Sequence, residues 1–335
     1  MQKCILLAGF YLFAAQLGST TNIVCQYEST SAVHSSQFDI ARISGDLCTH
    51  LIYSSVNINS NFEISPTTDE FKKMNAFTAI SSSQSSSVKK LLEVNLTINT
   101  PMVFGDRHSF ILNTITFLRG QNFDGINLWW GTEQVTANTI SLISEFRTKI
   151  NQEARLFEKP QLLLTMSVPA IHFNNIHLIA SDVDFLNVMT SDIEKYIKSQ
   201  RPSLWSTTDS YNEAVNAMYN WRDEGAPANK LNMGIAVFAE TTSDTASTFT
   251  DLPRGFMPLS EVCNWIHLKS PLVGEITFDT QTEIIQKANF VSTNHFGGVF
   301  VMSLNLDYFD VEFCNGRFGE IGPYPVIKTL KNYFK

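Results

Sequence analysis

Eight short apolar runs recur along the chain: Ile23 to Tyr27, His50 to Val56, Lys90 to Leu96, Gly125 to Trp130, Leu162 to Val168, Phe185 to Thr190, Leu231 to Phe238 and Gly298 to Leu304. Each has the length of a buried strand. The stretches between them carry helical spacing and helix-start chemistry. Ser210-x-x-Glu213 and Thr280-x-x-Glu283 match the capping box, and Asp106 precedes the periodic set Phe110, Ile111, Ile115 and Leu118. Strands alternating with helices imply a parallel sheet, and eight such units close a barrel. The pattern predicts a (β/α)8 (TIM) barrel, although periodicity by itself also tolerates seven or nine units.

The 335 residues are 44% hydrophobic, enough to bury a large core in one main domain. The first twenty residues change that picture. Lys3, the apolar run Ile5 to Ala15 and the small residues Gly18, Ser19 and Thr20 have the layout of a signal peptide over 1–20, leaving a mature chain of 21–335. That run is too short to span a bilayer, and no other stretch reaches about 18 uninterrupted apolar residues. The expectation is a secreted, extracellular monomer. A net charge of -8 without a basic stripe excludes nucleic acid and anionic membrane as partners.

Signal removal takes Cys4 and leaves Cys25, Cys48, Cys263 and Cys314. An even number in an oxidising compartment favours two disulfides, and four cysteines allow three pairings. Cys25 and Cys48 sit on or just before two successive strands that should be neighbours. That favours Cys25 with Cys48 and leaves Cys263 with Cys314. His172 and His177 lack the spacing that puts two zinc ligands on one helical face. No nucleophile elbow, phosphate loop or dinucleotide fingerprint is present, so neither a metal nor an organic cofactor is expected. Asp182/Asp184 and Asp307/Asp310 flank strands six and eight and read as solvated loops.

The most informative segment is Phe123-Asp124-Gly125-Ile126-Asn127-Leu128-Trp129-Trp130-Gly131. It resembles the signature strand of the chitinases of glycoside hydrolase family 18, where one aspartate is followed three residues later by two more and a glutamate at alternate positions. Only Asp124, the first aspartate, remains. Asn127 and Trp129 take the next two places, and Gly131 stands where the resemblance puts the acid. Further matches follow in order. Cys48 to Ser54 resembles the second strand, Phe117-Leu118-Arg119 the approach to the signature strand, and Met189-Thr190-Ser191-Asp192 the sixth strand. Lys230 to Ile235 resembles the seventh and Gly297 to Met302 the eighth. The resemblance fixes the strand count at eight, and vertebrate chitinase-like proteins share the disulfide arrangement favoured above. It also implies an α+β insertion between strands seven and eight, reduced here to 240–279.

In that family cleavage is substrate-assisted: the glutamate protonates the leaving oxygen and the third aspartate steadies the acetamido group. Glycine has no proton to give, and losing a well-placed general acid costs roughly 100- to 10,000-fold in rate. Glu133 lies about 7 Å further along if the strand continues, outside the roughly 3 Å of proton transfer. The expectation is therefore no enzyme activity and a role in binding, to a chitin-type oligosaccharide or an extracellular protein. A weak chitinase or N-acetylglucosaminidase using a displaced acid such as Glu133 or Asp192 is the alternative, as is a protein scaffold with no ligand in the groove. Among groove positions, Met302 stands for a tryptophan, Ser191 for a tyrosine, Ser55 for a phenylalanine, and Glu93 to Thr97 for a serine, valine, two glycines and tryptophan. Tyr27, Trp129, Asp192 and Met302 are the candidate ligand-binding residues. Adjacent strand residues face opposite sides, so Trp129, sharing the face of Asn127, is expected to fill the old hollow while Trp130 packs under the helices. Asn95-Leu96-Thr97 is a glycosylation sequon near the barrel mouth, read either as a glycan at the groove or as a buried, unmodified asparagine.

Overall fold

The structure, a computed structural model, describes residues 21–29, 38–83, 87–96, 105–130, 136–170, 175–190, 207–241, 256–268, 276–307 and 322–335. Eight parallel strands form a closed barrel. They are β1 (Asn22–Glu28), β2 (His50–Val56), β3 (Lys89–Asn95), β4 (Gly125–Trp129), β5 (Leu163–Pro169), β6 (Phe185–Met189), β7 (Leu231–Ala236) and, late in the chain, β11 (Gly298–Met302). Each of β1 to β7 pairs with its sequence neighbour, and β1 closes the ring against β11, with Val24 opposite Phe300. All eight expected strands are present. The seventh ends at Ala236 rather than Phe238, because Phe238 already belongs to β8 (Phe238–Thr241).

Strand alternation divides the core in two. Ile23, Cys25, Leu51, Tyr53, Val94, Leu128, Met166 and Val188 face outward and pack beneath the helices. Val24, Ile52, Leu91, Phe185, Met189, Phe300 and Met302 face inward and form a separate apolar cluster inside the barrel. The helices are α1 (Thr68–Thr78), α2 (Arg107–Gly120), α3 (Ala137–Leu156), α4 (Ile176–Ala180), α5 (Thr207–Asp223), α6 (Leu259–His267), α7 (Gln281–Thr293) and α8 (Pro325–Tyr333). Asp106 starts α2, accepting from the Ser109 N–H at 3.1 Å, and Glu283 accepts from the Thr280 N–H at 2.6 Å at the start of α7. The box expected at Ser210 is not a helix start: α5 already runs from Thr207, which places Ser210 inside it.

Gly125 opens β4 because nothing larger fits. A Cβ there would lie 2.3 Å from the Leu163 carbonyl oxygen of β5. Cys25 and Cys48 are disulfide-bonded, tying β1 to the residues just before β2. Cys263 on α6 is also disulfide-bonded, and the expected partner, Cys314, lies outside the described residues, as does the expected signal segment 1–20. In the expected insertion, β8 is flanked by β9 (Phe256–Pro258) and β10 (Ile276–Thr277) in a small antiparallel sheet of order β10-β8-β9, with α6 following β9.

Candidate functional site

Most barrel strands spend one or two of their inward positions on a polar side chain. Gln26 of β1, Ser54 of β2, Glu93 of β3, Asn127 of β4, Thr165 and Ser167 of β5, Asn187 of β6 and Asn232 of β7 are all buried. A buried polar group is costly unless bonded, and these satisfy one another. Glu93 is the hub, only 1% exposed. Its Oε1 accepts from Ser54 Oγ at 2.6 Å and from Gln26 Nε2 at 3.0 Å, and its Oε2 accepts from Asn127 Nδ2 at 2.7 Å. Asn127 Nδ2 also donates to Ser167 Oγ at 2.9 Å, while its Oδ1 accepts from Thr165 Oγ1 at 2.8 Å and Asn187 Nδ2 at 3.4 Å. Asn232 Nδ2 extends the chain to Asn187 Oδ1 at 3.0 Å.

Burial pushes the Glu93 carboxyl up to about 7, and the nearby charge of Glu28 adds to the rise; the bonds from Ser54, Asn127 and Gln26 hold it down. His50 and Asp307 are displaced as well. Burial, aided by Lys89, lowers His50 to about 4 against the pull of Asp124 and Asp184. Asp307 is raised to about 8 by burial, opposed by the Ile327 and Val326 N–H groups that bond it.

One step beyond Asn127 on the same face, Trp129 is half-buried and packs against the inward cluster containing Met189 and Met302. Trp130 points the other way into the outer core. The upper interior of the barrel is therefore lined by an indole and two thioethers. Asn95 ends β3 opposite Trp129 in the register and is half-buried on the inward face.

Other expected site residues are placed differently. Tyr27 does not face the barrel interior. It is buried in the outer core, its ring 5.9 Å from Phe77 and 5.7 Å from Tyr53, because it shares the outward parity of Cys25. The inward place beside it belongs to Gln26. Asp124 sits at the opposite end of the barrel from the mouth, accepting from the Lys90 N–H at 2.8 Å and pairing with Lys89 at 3.4 Å. There it joins β3 to the entry of β4. Gly131, Glu133, Ser191 and Asp192 lie outside the described residues. Asp184 and Asp307 are not solvated loop residues. Asp184 bonds the Leu164 N–H at 2.7 Å and Arg147 at 2.8 Å, and Asp307 caps α8 through Val326 at 3.1 Å and Ile327 at 2.8 Å.

Gln26, Ser54, Glu93, Asn187 and Asn232 were not anticipated as a group. The available signal was one or two uncompensated polar residues inside most of the apolar runs, on the parity of Asn127 once the registers are known. Among the described residues no group of three or more His, Cys, Asp or Glu side chains could hold a metal ion, and no helix is long and apolar enough to cross a membrane.

The family described as Glycosyl hydrolases family 18 matches residues 22–307. The oviduct-specific glycoprotein of Mesocricetus auratus is 27% identical over 368 residues, covering 93% of this chain and 54% of that protein. The chain thus spans about half the length of the first such relatives. Two solved structures share the fold. One is the immunomodulatory active chitinase TsES1 from Trichuris suis, with a TM-score of 0.79 and 20% identity over 94% of this chain and 100% of that one. The other is human YKL-39, with a TM-score of 0.75 and 23% identity over 93% and 99%. The latter is described as a pseudo-chitinase with retained chitooligosaccharide binding properties.

Proposed function

The chain belongs to glycosyl hydrolase family 18, and on that premise we propose that it is a secreted protein that binds at the barrel mouth without cleaving. The observation carrying this reading is the inward face of β4. Where the resemblance puts two carboxylates, that face offers the amide of Asn127, already committed to four partners, and the half-buried indole of Trp129. Neither group donates a proton to a leaving oxygen or supports developing positive charge as a carboxylate does. Glu93, the carboxylate beside Asn127, is sealed from substrate and spends both oxygens on internal donors.

The ligand best matched to this mouth is a chitin-type oligosaccharide stacked on Trp129, since an indole face suits a sugar ring and YKL-39 is described as retaining such binding without being a true chitinase. Met302 supplies a softer contact than an aromatic floor. A fluorogenic chitobiose substrate tests the first half of the reading. No turnover above blank from about pH 3 to 8 is expected, and turnover abolished by Glu133→Gln would replace it with a displaced-acid glycosidase. Calorimetry with chitin oligomers tests the second half. Heat of binding lost in Trp129→Ala is expected, and its absence in the unaltered protein would leave a protein partner as the occupant.

A further inference from the structure

In the buried ring the carboxylate has changed strands. The resemblance puts an aspartate at 127 and a serine at 93; here the amide is on β4 and the acid is on β3, directly opposite in the register. Every partner of Glu93 donates to it, as an ionised carboxylate requires. Asn127 thereby has its nitrogen fixed toward Glu93, so its oxygen must accept from Asn187. Asn187 in turn accepts from Asn232, and Asn232 from Asn22 Nδ2 at 3.3 Å. Four amides on four strands are all turned with nitrogen toward one acid.

A proton arriving on Oε2 of Glu93 would face the Asn127 donor and force that whole chain to turn. Oε1 is different. Its close partner is a hydroxyl, which can reverse its role by rotation. Ser54 Oγ also lies 3.5 Å from Oε2 of Glu28, a half-buried residue at the end of β1 on the side of the barrel mouth.

We propose that Glu93 is a buried proton-storage group, loaded and emptied from the barrel mouth through Ser54 and Glu28. In loading, the protonated Glu28 carboxyl gives its proton to Ser54 Oγ while the hydroxyl proton of Ser54 passes to Glu93 Oε1. Ser54 ends unchanged, Glu28 is left ionised, and one negative charge has moved from the middle of the barrel toward its mouth. Unloading reverses each transfer. Among the described residues, the charged group that bears on Glu93 is Glu28 of β1; β2 and β4 present the neutral Ser54 and Asn127. Lys89 and Asp124 pair with each other at the opposite end of the barrel. The displacement of Glu93 to about 7 makes the exchange accessible near neutrality. It rests on the side chains inside the barrel and not on what the mouth binds.

The test is a pH titration of glutamate side-chain carboxyl carbons by NMR in glutamate-labelled protein. One carboxyl should show a midpoint near 7, and that signal should vanish in Glu93→Gln. The Glu28 signal should carry a second inflection at the same pH from the charge coupling, and Ser54→Ala should slow proton exchange at Glu93, broadening or splitting its signal through the midpoint while Glu93 still titrates. If Glu93→Gln does not fold, Glu28→Gln serves, since removing that charge must lower the high midpoint. All glutamates titrating between about 4 and 5, a high midpoint indifferent to Glu28→Gln, or a proton-exchange rate at Glu93 unchanged in Ser54→Ala would each overturn the proposal.

Discussion

A carboxyl whose proton is held more tightly in the folded than in the unfolded chain makes stability fall as pH rises. Glu93 moves from 4.5 to about 7. Between those values the folded state binds more protons than the unfolded state, so the unfolding free energy declines across that window and is level, as far as Glu93 is concerned, on either side. Each tenfold change in proton affinity is worth about 1.4 kcal/mol, so the full decline is on the order of 3 kcal/mol. Burial of Glu93 is complete, so solvent does not screen this contribution. Glu93→Gln removes the titration while keeping the volume. An amide oxygen can still accept from Ser54 and Gln26, but its nitrogen then meets Asn127 Nδ2, at a cost of about 1 to 3 kcal/mol for the mismatched pair. The variant should be the weaker protein at about pH 4.5 and should close most or all of that gap by about pH 7.5, because only the unaltered protein carries a buried charge there. Urea unfolding at a series of pH values reads both profiles, and other titrating groups cancel in their difference. Parallel profiles would refute the reasoning outright.

Two further outcomes follow from the ties that hold the barrel. Asp307→Ala strips two buried N–H groups at the start of α8 of their acceptor and should destabilise by about 2 to 4 kcal/mol, with Asp307→Asn losing about half as much, both measured by urea unfolding. Replacing Cys25 and Cys48 together by serine opens a loop of sequence separation 23 and should cost about 3 kcal/mol in the chain-entropy model, visible as a lower denaturant midpoint.

The barrel was largely legible because each strand is an apolar run of the right length, and His50 to Val56 was delimited to the residue. The Thr280 helix start was legible for the same local reason. Residue type pointed Tyr27 at the groove, but strand parity decides its side, and Cys25 two positions earlier lies outward. The Glu93 hub was hidden more deeply. Lys89-Lys90-Leu91-Leu92-Glu93-Val94-Asn95 has two charged residues before Glu93, and nothing local says which charge is buried. Only the side-by-side pairing of β1 to β4 brings Gln26, Ser54 and Asn127 onto one carboxylate. Asp307 was read as solvated for a similar reason: its partners at 326 and 327 are remote in the chain and invisible to any local window.

The pairing of β1 with β11 also sets an order of events during synthesis. The first barrel strand to leave the ribosome finds one neighbour in β2 early, but its other edge stays open until Gly298–Met302 has emerged, some 270 residues later. Any sheet assembled in that interval would keep two exposed margins, and exposed strand edges are prone to pairing with other chains. The Cys25–Cys48 bond joins elements that are complete long before closure, so oxidation can fasten the leading margin while the trailing one is still being made.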